Sequence, residues 1–123
     1  MKVIVVGLGI QGIKRKRIAG KDVVATVDPV VAEADYQSVE AVPIADYDAA
    51  LLCIPDEPKV KIINYLGQCG KHILVEKPLI AEDSRELENL ADFINSKNVV
   101  CYTAYNHRFE PHFIRLKKTI ESG

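Results

Sequence analysis

The 123-residue sequence lacks the features that mark several large classes of protein. Its apolar stretches have the length of strands and fall far short of the roughly 20 residues that a membrane-spanning helix requires. The apolar start, Met1 to Gly7, is too short for a signal peptide and has no small-residue cleavage site. We therefore expect a cytoplasmic protein that has no membrane partner.

The sequence also lacks an excess of charge of one sign, and its cysteines and histidines are not spaced as metal ligands. The net charge is −1, which gives no overall field that attracts nucleic acid or an anionic membrane. The three cysteines, Cys53, Cys69 and Cys101, form no CxxC pair and no cysteine–histidine ligand pattern, and His107 and His112 have no partner at ligand spacing. We therefore predict no metal site, no nucleic-acid partner, and cysteines that act as small buried hydrophobic residues in a reducing compartment.

Apolar runs of strand length alternate along the chain with segments of helical period. Strands are predicted at residues 3–6, 23–27, 49–54, 73–75 and 99–102, and helices at residues 10–19, 58–69 and 83–96. The strand runs are apolar throughout, which is typical of strands covered on both faces. The sequence predicts an α/β fold with a doubly wound, mostly parallel sheet and helices on both faces.

The segment 29–48 is shorter than this alternation requires. It has twenty residues, contains Pro43 in its middle and shows no helical period. We interpret it as a reduced connection that has lost its helix and keeps a short strand near residues 36–38.

A glycine loop, Gly7-Leu8-Gly9-Ile10-Gln11-Gly12, follows the first strand and opens the first helix. In this context the GxGxxG pattern predicts a Rossmann dinucleotide site. Gly7 permits the tight turn, Gly9 lets the backbone approach a pyrophosphate, and Gly12 lets helix and strand pack closely. The helix start, with Ile10 and Gln11, offers its N–H groups to the phosphates. The alternative is a purely structural glycine turn.

Asp28 ends the second strand, twenty-one residues after Gly7. A carboxylate at this place accepts hydrogen bonds from the adenosine ribose and repels a 2′-phosphate, and no arginine stands directly after it. The sequence therefore predicts NAD rather than NADP as cofactor, and the alternative is an aspartate that only forms the turn before Pro29.

For the basic run 14–17 a solvated surface is the main interpretation, and a contribution to pyrophosphate binding is the other.

A second motif, Glu76-Lys77-Pro78, stands at the end of an apolar strand, on the sheet edge where α/β folds bind ligands. Pro78 keeps Lys77 out of the helical region of backbone space. A lysine held in this way can polarise a carbonyl or hydroxyl and move a proton. The residues alone leave an ordinary surface lysine as an equal alternative.

Together with Tyr105-Asn106-His107-Arg108-Phe109-Glu110-Pro111, the glycine loop and the Glu76-Lys77-Pro78 motif resemble the signatures of the glucose–fructose oxidoreductase/inositol dehydrogenase/MocA family. The resemblance implies that Lys77 is catalytic, that Glu76 contacts the nicotinamide ribose, that Asn106 lines the site, and that the Lys77–Pro78 bond is cis. It also matches Ile54 and Pro55 to the family's Thr-Pro turn beside the cofactor.

The chain departs from the family pattern in several places, among them Ile54 in place of the family's threonine and the shortened segment 29–48. Lys59 stands where family members often carry a histidine. The resemblance therefore does not support a contact between the cofactor and the helix predicted at residues 58–69. The family's second, substrate-binding domain is absent, so we expect residues 1–123 to be one NAD(P)-binding domain, with about residues 110–123 starting the linker helix. An apolar stripe is predicted along this linker helix, formed by Phe113, Leu116 and Ile120. For Arg108, pairing near Glu76 and contact with substrate remain alternatives.

The resemblance implies an oxidoreductase that transfers a hydride between a nicotinamide cofactor and a sugar, cyclitol or nucleotide-sugar substrate. We expect this chain alone to bind NAD with little turnover, and a full-length parent to assemble as a homo-oligomer through the missing domain. One alternative is a non-catalytic, NAD-sensing regulatory Rossmann module. Another is a two-domain dehydrogenase that acts on amino-acid precursors.

Overall fold

The computed structural model describes residues 1–77 and 84–104 of the chain. Within these ranges, strands and helices alternate as the sequence predicts. The strands are β1 (Val3–Val6), β2 (Val23–Val27), β3 (Ala49–Leu52), β4 (His72–Glu76) and β5 (Cys101–Ala104), and the α-helices are α1 (Ile10–Ala19), α2 (Lys59–Gln68) and α3 (Ser84–Ser96). Short 3₁₀ turns follow α1 at Gly20–Asp22 and lie between β2 and β3 at Val39–Ala41 and Ile44–Asp46.

The five strands form one sheet in the order β2-β1-β3-β4-β5, and every neighbouring pair is parallel. The direction of winding reverses between β1 and β3, which is the switch point where open α/β sheets form a crevice at the carboxyl ends of their strands. The predicted doubly wound parallel sheet is confirmed.

The core lies mainly between the sheet and the pair α2 and α3. Ile63 and Leu66 of α2 are fully buried against Ile4, Ala50 and Ile73, one from each of the three central strands. Because side chains alternate across a strand, Val5 points to the opposite face, and α1 contacts β1 and β3. No helix within residues 1–77 and 84–104 is long and apolar enough to cross a membrane.

The segment between β2 and β3 contains no α-helix, in agreement with the predicted loss. The short strand expected at residues 36–38 is reduced to one parallel bridge between Tyr36 and Val27. Two hydrogen bonds hold this bridge, from the Asp28 N–H to the Tyr36 carbonyl at 3.0 Å and from the Tyr36 N–H to the Thr26 carbonyl at 3.0 Å. Asp35 ties the same place together, since its carboxylate accepts the Thr26 N–H at 2.9 Å.

Several strand boundaries differ from the prediction, since β4 extends one residue further at each end and the limits of β3 and β5 differ by two residues. The third strand ends at Leu52 instead of residue 54. The Cys53 N–H still bonds to the Val6 carbonyl at 2.8 Å, but Pro55, two residues further on, has no N–H with which to continue the pairing. The last strand starts two residues later than predicted, after a turn in which Asn98 adopts a positive φ of 55°.

The expectation of strands covered on both faces holds for β1 and fails at the two edges of the sheet. All four residues of β1 are buried. Val24 on β2 is 45% exposed and Tyr102 on β5 is 53% exposed. An edge strand has a neighbour on one side only, so helices that cover the central strands do not fully cover it.

Glycine ends α2 in the predicted way. Gly70 has a positive φ of 72°, and the Lys71 N–H returns to the Leu66 carbonyl at 2.9 Å while the Gly70 N–H bonds to the Gly67 carbonyl at 3.1 Å. This pair of bonds is the Schellman arrangement, which satisfies carbonyls at a helix end and stops the helix. The predicted cap of α3 at Asp83 lies outside the described residues.

Candidate functional site

The predicted site residues that follow β1 to β4 meet in one row across the carboxyl edge of the sheet. Val6 of β1 is in register with Val27 of β2 and with Leu52 of β3, and Leu52 is in register with Val75 of β4. The residues that follow these positions therefore stand side by side at the edge, in the order Asp28, Gly7, Cys53 and Glu76. Motifs spread over seventy residues of sequence thus become neighbours.

Gly7 and Gly12 are required by the packing of the protein itself. A β-carbon on Gly7 would overlap the Cys53 carbonyl oxygen, and Gly7 has a positive φ of 94°. A β-carbon on Gly12 would overlap the Gly7 carbonyl oxygen, and Gly12 is the buried residue of α1. These contacts bring the start of α1 close to the ends of β1 and β3, as the sequence motif predicts.

Gly9 differs from its two neighbours in the motif. It has an extended backbone with φ of −74°, which any residue can adopt. Apart from its chain neighbours, no atom of the described residues lies within 4 Å of the place where its β-carbon would stand. Packing within the described part of the chain therefore gives no reason for a glycine here. The open space in front of Gly9 fits a group that must approach the backbone closely.

Within the part of the chain that the structure describes, no side chain caps the N-terminus of α1. Gly9 is the N-cap, no side chain bonds to the first turn, and that turn carries no acidic residue. The helix start, which includes Ile10 and Gln11, therefore presents uncompensated positive dipole and N–H groups beside the open space at Gly9.

Asp28 forms the turn after β2 and also lines the crevice, so the two interpretations of this residue are compatible. Its Oδ1 accepts the N–H groups of Val30 at 2.8 Å and Val31 at 3.0 Å, while Oδ2 accepts the Leu8 N–H of the glycine loop at 2.8 Å. These three bonds, that from Leu8 above all, hold the pKa of the carboxyl group below its usual value of 3.8. Asp28 is therefore ionised at neutral pH.

A cavity of about 620 Å³ opens along this part of the edge. Its walls are mostly apolar, and polar groups at the rim come from the glycine loop, from Asp28 and from the reduced segment between β2 and β3. The lining residues include Leu8, Gly9, Asp28, Val31, Gln37, Val39, Ile54, Pro55 and Ile62. A largely apolar slot with few polar groups suits a planar aromatic base and its ribose.

Ile54 and Pro55, predicted by resemblance, also line this cavity. The preceding residue, Cys53, stands beside the glycine loop, and burial raises the pKa of its thiol to about 11. Burial also raises the pKa of Cys101. Both thiols are protonated at neutral pH. All three cysteines are half-buried, and not fully buried as predicted.

Glu76 is joined to α1 by an ion pair with Arg15. Its Oε1 accepts the Arg15 Nε–H, and the side chains are 12% and 25% exposed, respectively. Arg15 belongs to the basic run 14–17, and for this one residue the prediction of a solvated surface is wrong. The helical period explains the error: Arg15 lies three residues after Gly12 and so shares the face of α1 that packs against the sheet.

Lys59 was expected only as a departure from the family pattern, and the structure gives it a defined place. Its side chain is 1% exposed, and Nζ donates to Asp56 Oδ1 at 3.0 Å and to the Glu76 carbonyl at 2.8 Å. It is not among the residues that line the cavity.

Lys77 follows β4 directly and is exposed. Asn106 and Pro78, together with Arg108 and the rest of the third motif, lie outside the described residues. Within residues 1–77 and 84–104, no group of three or more His, Cys, Asp or Glu side chains is arranged to hold a metal ion.

Known proteins share both the sequence and the fold of this chain. Residues 1–105 match the family described as "Oxidoreductase family, NAD-binding Rossmann fold". The chain is 29% identical over 108 residues to the inositol 2-dehydrogenase of Rhizobium meliloti (strain 1021), a match that covers 81% of this chain and 32% of that protein. The chain thus spans about a third of the length of this relative.

Two solved structures show the same fold. The UDP-N-acetylglucosamine 3-dehydrogenase of Acidithiobacillus ferrooxidans superposes with a TM-score of 0.80 at 23% identity, covering 97% of this chain and 43% of that one. The apo scyllo-inositol dehydrogenase of Lactobacillus casei superposes with a TM-score of 0.79 at 24% identity, covering 100% of this chain and 41% of that one.

Proposed function

The chain belongs to the glucose–fructose oxidoreductase/inositol dehydrogenase/MocA family of oxidoreductases, and we propose that it is the NAD-binding domain of a dehydrogenase for cyclitols, sugars or nucleotide sugars. In this proposal the complete enzyme transfers a hydride between the nicotinamide ring and a ring carbon that bears a hydroxyl group. The groups that recognise the substrate belong largely to a second domain outside this chain.

The observation that carries the proposal is the open space at Gly9. Position 9 is a glycine although neither its backbone conformation nor packing against the described residues requires one. A pyrophosphate set against the uncapped start of α1 supplies the missing reason, because a β-carbon would fill the space that the phosphate oxygens need. The N–H groups at the helix start would then hold the phosphates.

The ionised carboxylate of Asp28 supports NAD over NADP. A carboxylate has about four acceptor positions, and three are filled by backbone N–H groups. A ribose hydroxyl can donate to the remaining position or replace the Leu8 N–H as a donor. A 2′-phosphate would instead place a second anion beside the carboxylate, at an unfavourable Coulomb energy.

Glu76 and Lys77 would act at the other end of the cofactor. When bound, the nicotinamide ring accepts or donates the hydride. Glu76, held by Arg15, would orient the nicotinamide ribose, and the exposed Lys77 ammonium would lie against the substrate hydroxyl, where it helps to move the proton.

The substrate class follows from what the relatives act on by name. One is an inositol 2-dehydrogenase and another a UDP-N-acetylglucosamine 3-dehydrogenase. Both substrates present a secondary hydroxyl on a six-membered ring, so we propose the same group for this protein.

The test uses a full-length protein that contains this domain, assayed with NAD and myo-inositol, scyllo-inositol and UDP-N-acetylglucosamine. Lys77→Ala should lower kcat by about 10²- to 10⁴-fold, the usual contribution of a general acid or base, and should change the affinity for NAD little. Lys21→Ala removes an exposed lysine from the turn after α1 and serves as the matched control.

Full activity in Lys77→Ala would contradict the catalytic assignment. A wild-type protein that binds NAD tightly and oxidises no ring alcohol would favour the NAD-sensing regulatory module instead.

A further inference from the structure

We propose that Lys59 is a positioning residue that fixes the Glu76–Lys77 peptide and so directs Lys77 toward the reacting groups. The inference rests on the proposed function, because it takes Lys77 as the group that moves the proton. It concerns a residue that does not touch the cofactor cavity and that has no counterpart among the family residues carried over by resemblance.

The place of Lys59 is unfavourable for a lysine in two respects. Its side chain is 1% exposed, and taking an ammonium group out of water is costly unless it is paired and hydrogen-bonded. It is also the first residue of α2, where the positive end of the helix dipole disfavours a cation. A buried cation that stability alone does not favour calls for a specific task.

The contacts of Nζ with Asp56 and with Glu76 differ in kind. Asp56, three residues earlier, supplies a carboxylate at 3.0 Å and is itself 44% exposed, so this local pair compensates the charge. The Glu76 carbonyl, seventeen residues later, accepts at 2.8 Å and belongs to the strand end on β4. This second contact ties Lys59 to the strand end that carries Lys77.

The carbonyl of Glu76 lies in the same rigid peptide plane as the Lys77 N–H. A charge-assisted hydrogen bond to that carbonyl therefore restrains the rotation of the whole plane and the direction in which the Lys77 side chain leaves the backbone. The side chain of Glu76 is restrained separately by Arg15 of α1. The residue before Lys77 is thus held from two helices, by its side chain from α1 and by its backbone from α2.

The kinetic test compares Lys59→Met, which keeps the apolar stem and removes the ammonium, with Asp56→Asn, which removes the charge of the local partner and leaves the bond to Glu76. In the full-length protein, Lys59→Met should lower kcat by about 10- to 100-fold, as expected for a misplaced catalytic group, with little change in the KM for NAD. Asp56→Asn should retain most of the wild-type kcat. Equal kcat losses in the two variants, or an unchanged kcat in Lys59→Met, would overturn the proposal.

A second measurement needs no turnover and uses the 123-residue chain. In NMR spectra of Lys59→Met, amide hydrogen exchange should accelerate at Lys77, while the amides within α2 should keep their wild-type rates. Changes confined to α2 and Asp56 would show a role in the helix alone and would overturn the proposal.

Failure of this inference and failure of the proposed function can be told apart. An inactive Lys77→Ala together with a fully active Lys59→Met overturns only the positioning role. An active Lys77→Ala overturns the function on which that role rests.

Discussion

The two ends of the carboxyl edge are held together in different ways. At the β2 and β1 end, the Asp28 carboxylate accepts backbone N–H groups of the turn and of the glycine loop. At the β4 end, the strand terminus is held by two side-chain cations, Arg15 on the Glu76 carboxylate and Lys59 on the Glu76 carbonyl. The first end is made by backbone groups of a compact motif, and the second by side chains that come from two helices.

This difference shows how one edge can combine a general binding motif with a specialised reactive end. Backbone N–H groups are present in every sequence, so the glycine loop needs only small residues at fixed places. The β4 end needs particular side chains at particular distances, and it is the end that we propose to carry the chemistry. Substitutions should therefore act differently at the two ends.

The largest expected effect is a difference in stability between substitutions at two glycines of the same motif. Gly12→Ala forces a β-carbon onto the Gly7 carbonyl oxygen and should lower the free energy of unfolding by about 3 kcal/mol or more. Gly9→Ala meets open space and should lower it by less than about 1 kcal/mol. Urea denaturation of both variants measures the two values.

The same pair of variants tests the ligand. Gly9→Ala should remain folded and yet bind NAD about tenfold more weakly or worse, a loss of about 1.4 kcal/mol. Unchanged NAD affinity in a folded Gly9→Ala protein would contradict the account of the open space.

A smaller effect is expected at the β4 end. Arg15→Met removes the ionic partner of the Glu76 side chain, which is only 12% exposed. We expect the variant to destabilise the domain by about 1–2 kcal/mol, a loss between those typical of exposed and of fully buried ion pairs. Lys14→Met removes the neighbouring exposed charge and is the matched control, expected within about 0.5 kcal/mol of wild type. Thermal denaturation measures the stability of both variants. Equal losses of stability in Arg15→Met and Lys14→Met would show that the ion pair contributes nothing.

The smallest effect concerns Asp28 and depends on pH. Because the pKa of Asp28 is lower in the folded chain, the carboxylate contributes stability above its unfolded value of about 3.8 and loses it as pH falls through the folded value. Asp28→Asn should therefore be destabilising by less than about 1 kcal/mol at pH 7, and the difference from wild type should shrink below pH 4. Urea denaturation at both pH values measures this, and a difference that stayed constant with pH would rule out the charge as its cause.

The sequence predicted the fold and the β2 and β1 end because their signals are local. Apolar runs, the glycine spacing and an acidic residue at a strand end each occupy a few neighbouring positions, and the parallel sheet brings the ends of its strands together. The boundary errors at β3 and β5 arose where a proline without an N–H or a turn, and not hydrophobicity, sets the limit of the strand.

The partners at the β4 end could not be found in the same way. Arg15 and Glu76 are sixty-one residues apart, and Lys59 reaches a backbone carbonyl, which leaves no trace in the sequence. Arg15 was hidden in a run of four basic residues, and only its helical phase relative to Gly12 distinguished it. Lys59 was visible as a departure from the family pattern, but its burial depends on how α2 packs against β4.

The most direct test of the central claim is calorimetric titration of this chain with NAD and NADP in parallel, for wild type and for Asp28→Ser. The account predicts that wild type binds NAD at least about tenfold more tightly than NADP and that Asp28→Ser loses most of this preference. Binding of neither cofactor would contradict the claim that the open edge at Gly9 is a dinucleotide site, and an unchanged preference in Asp28→Ser would contradict the role given to its carboxylate.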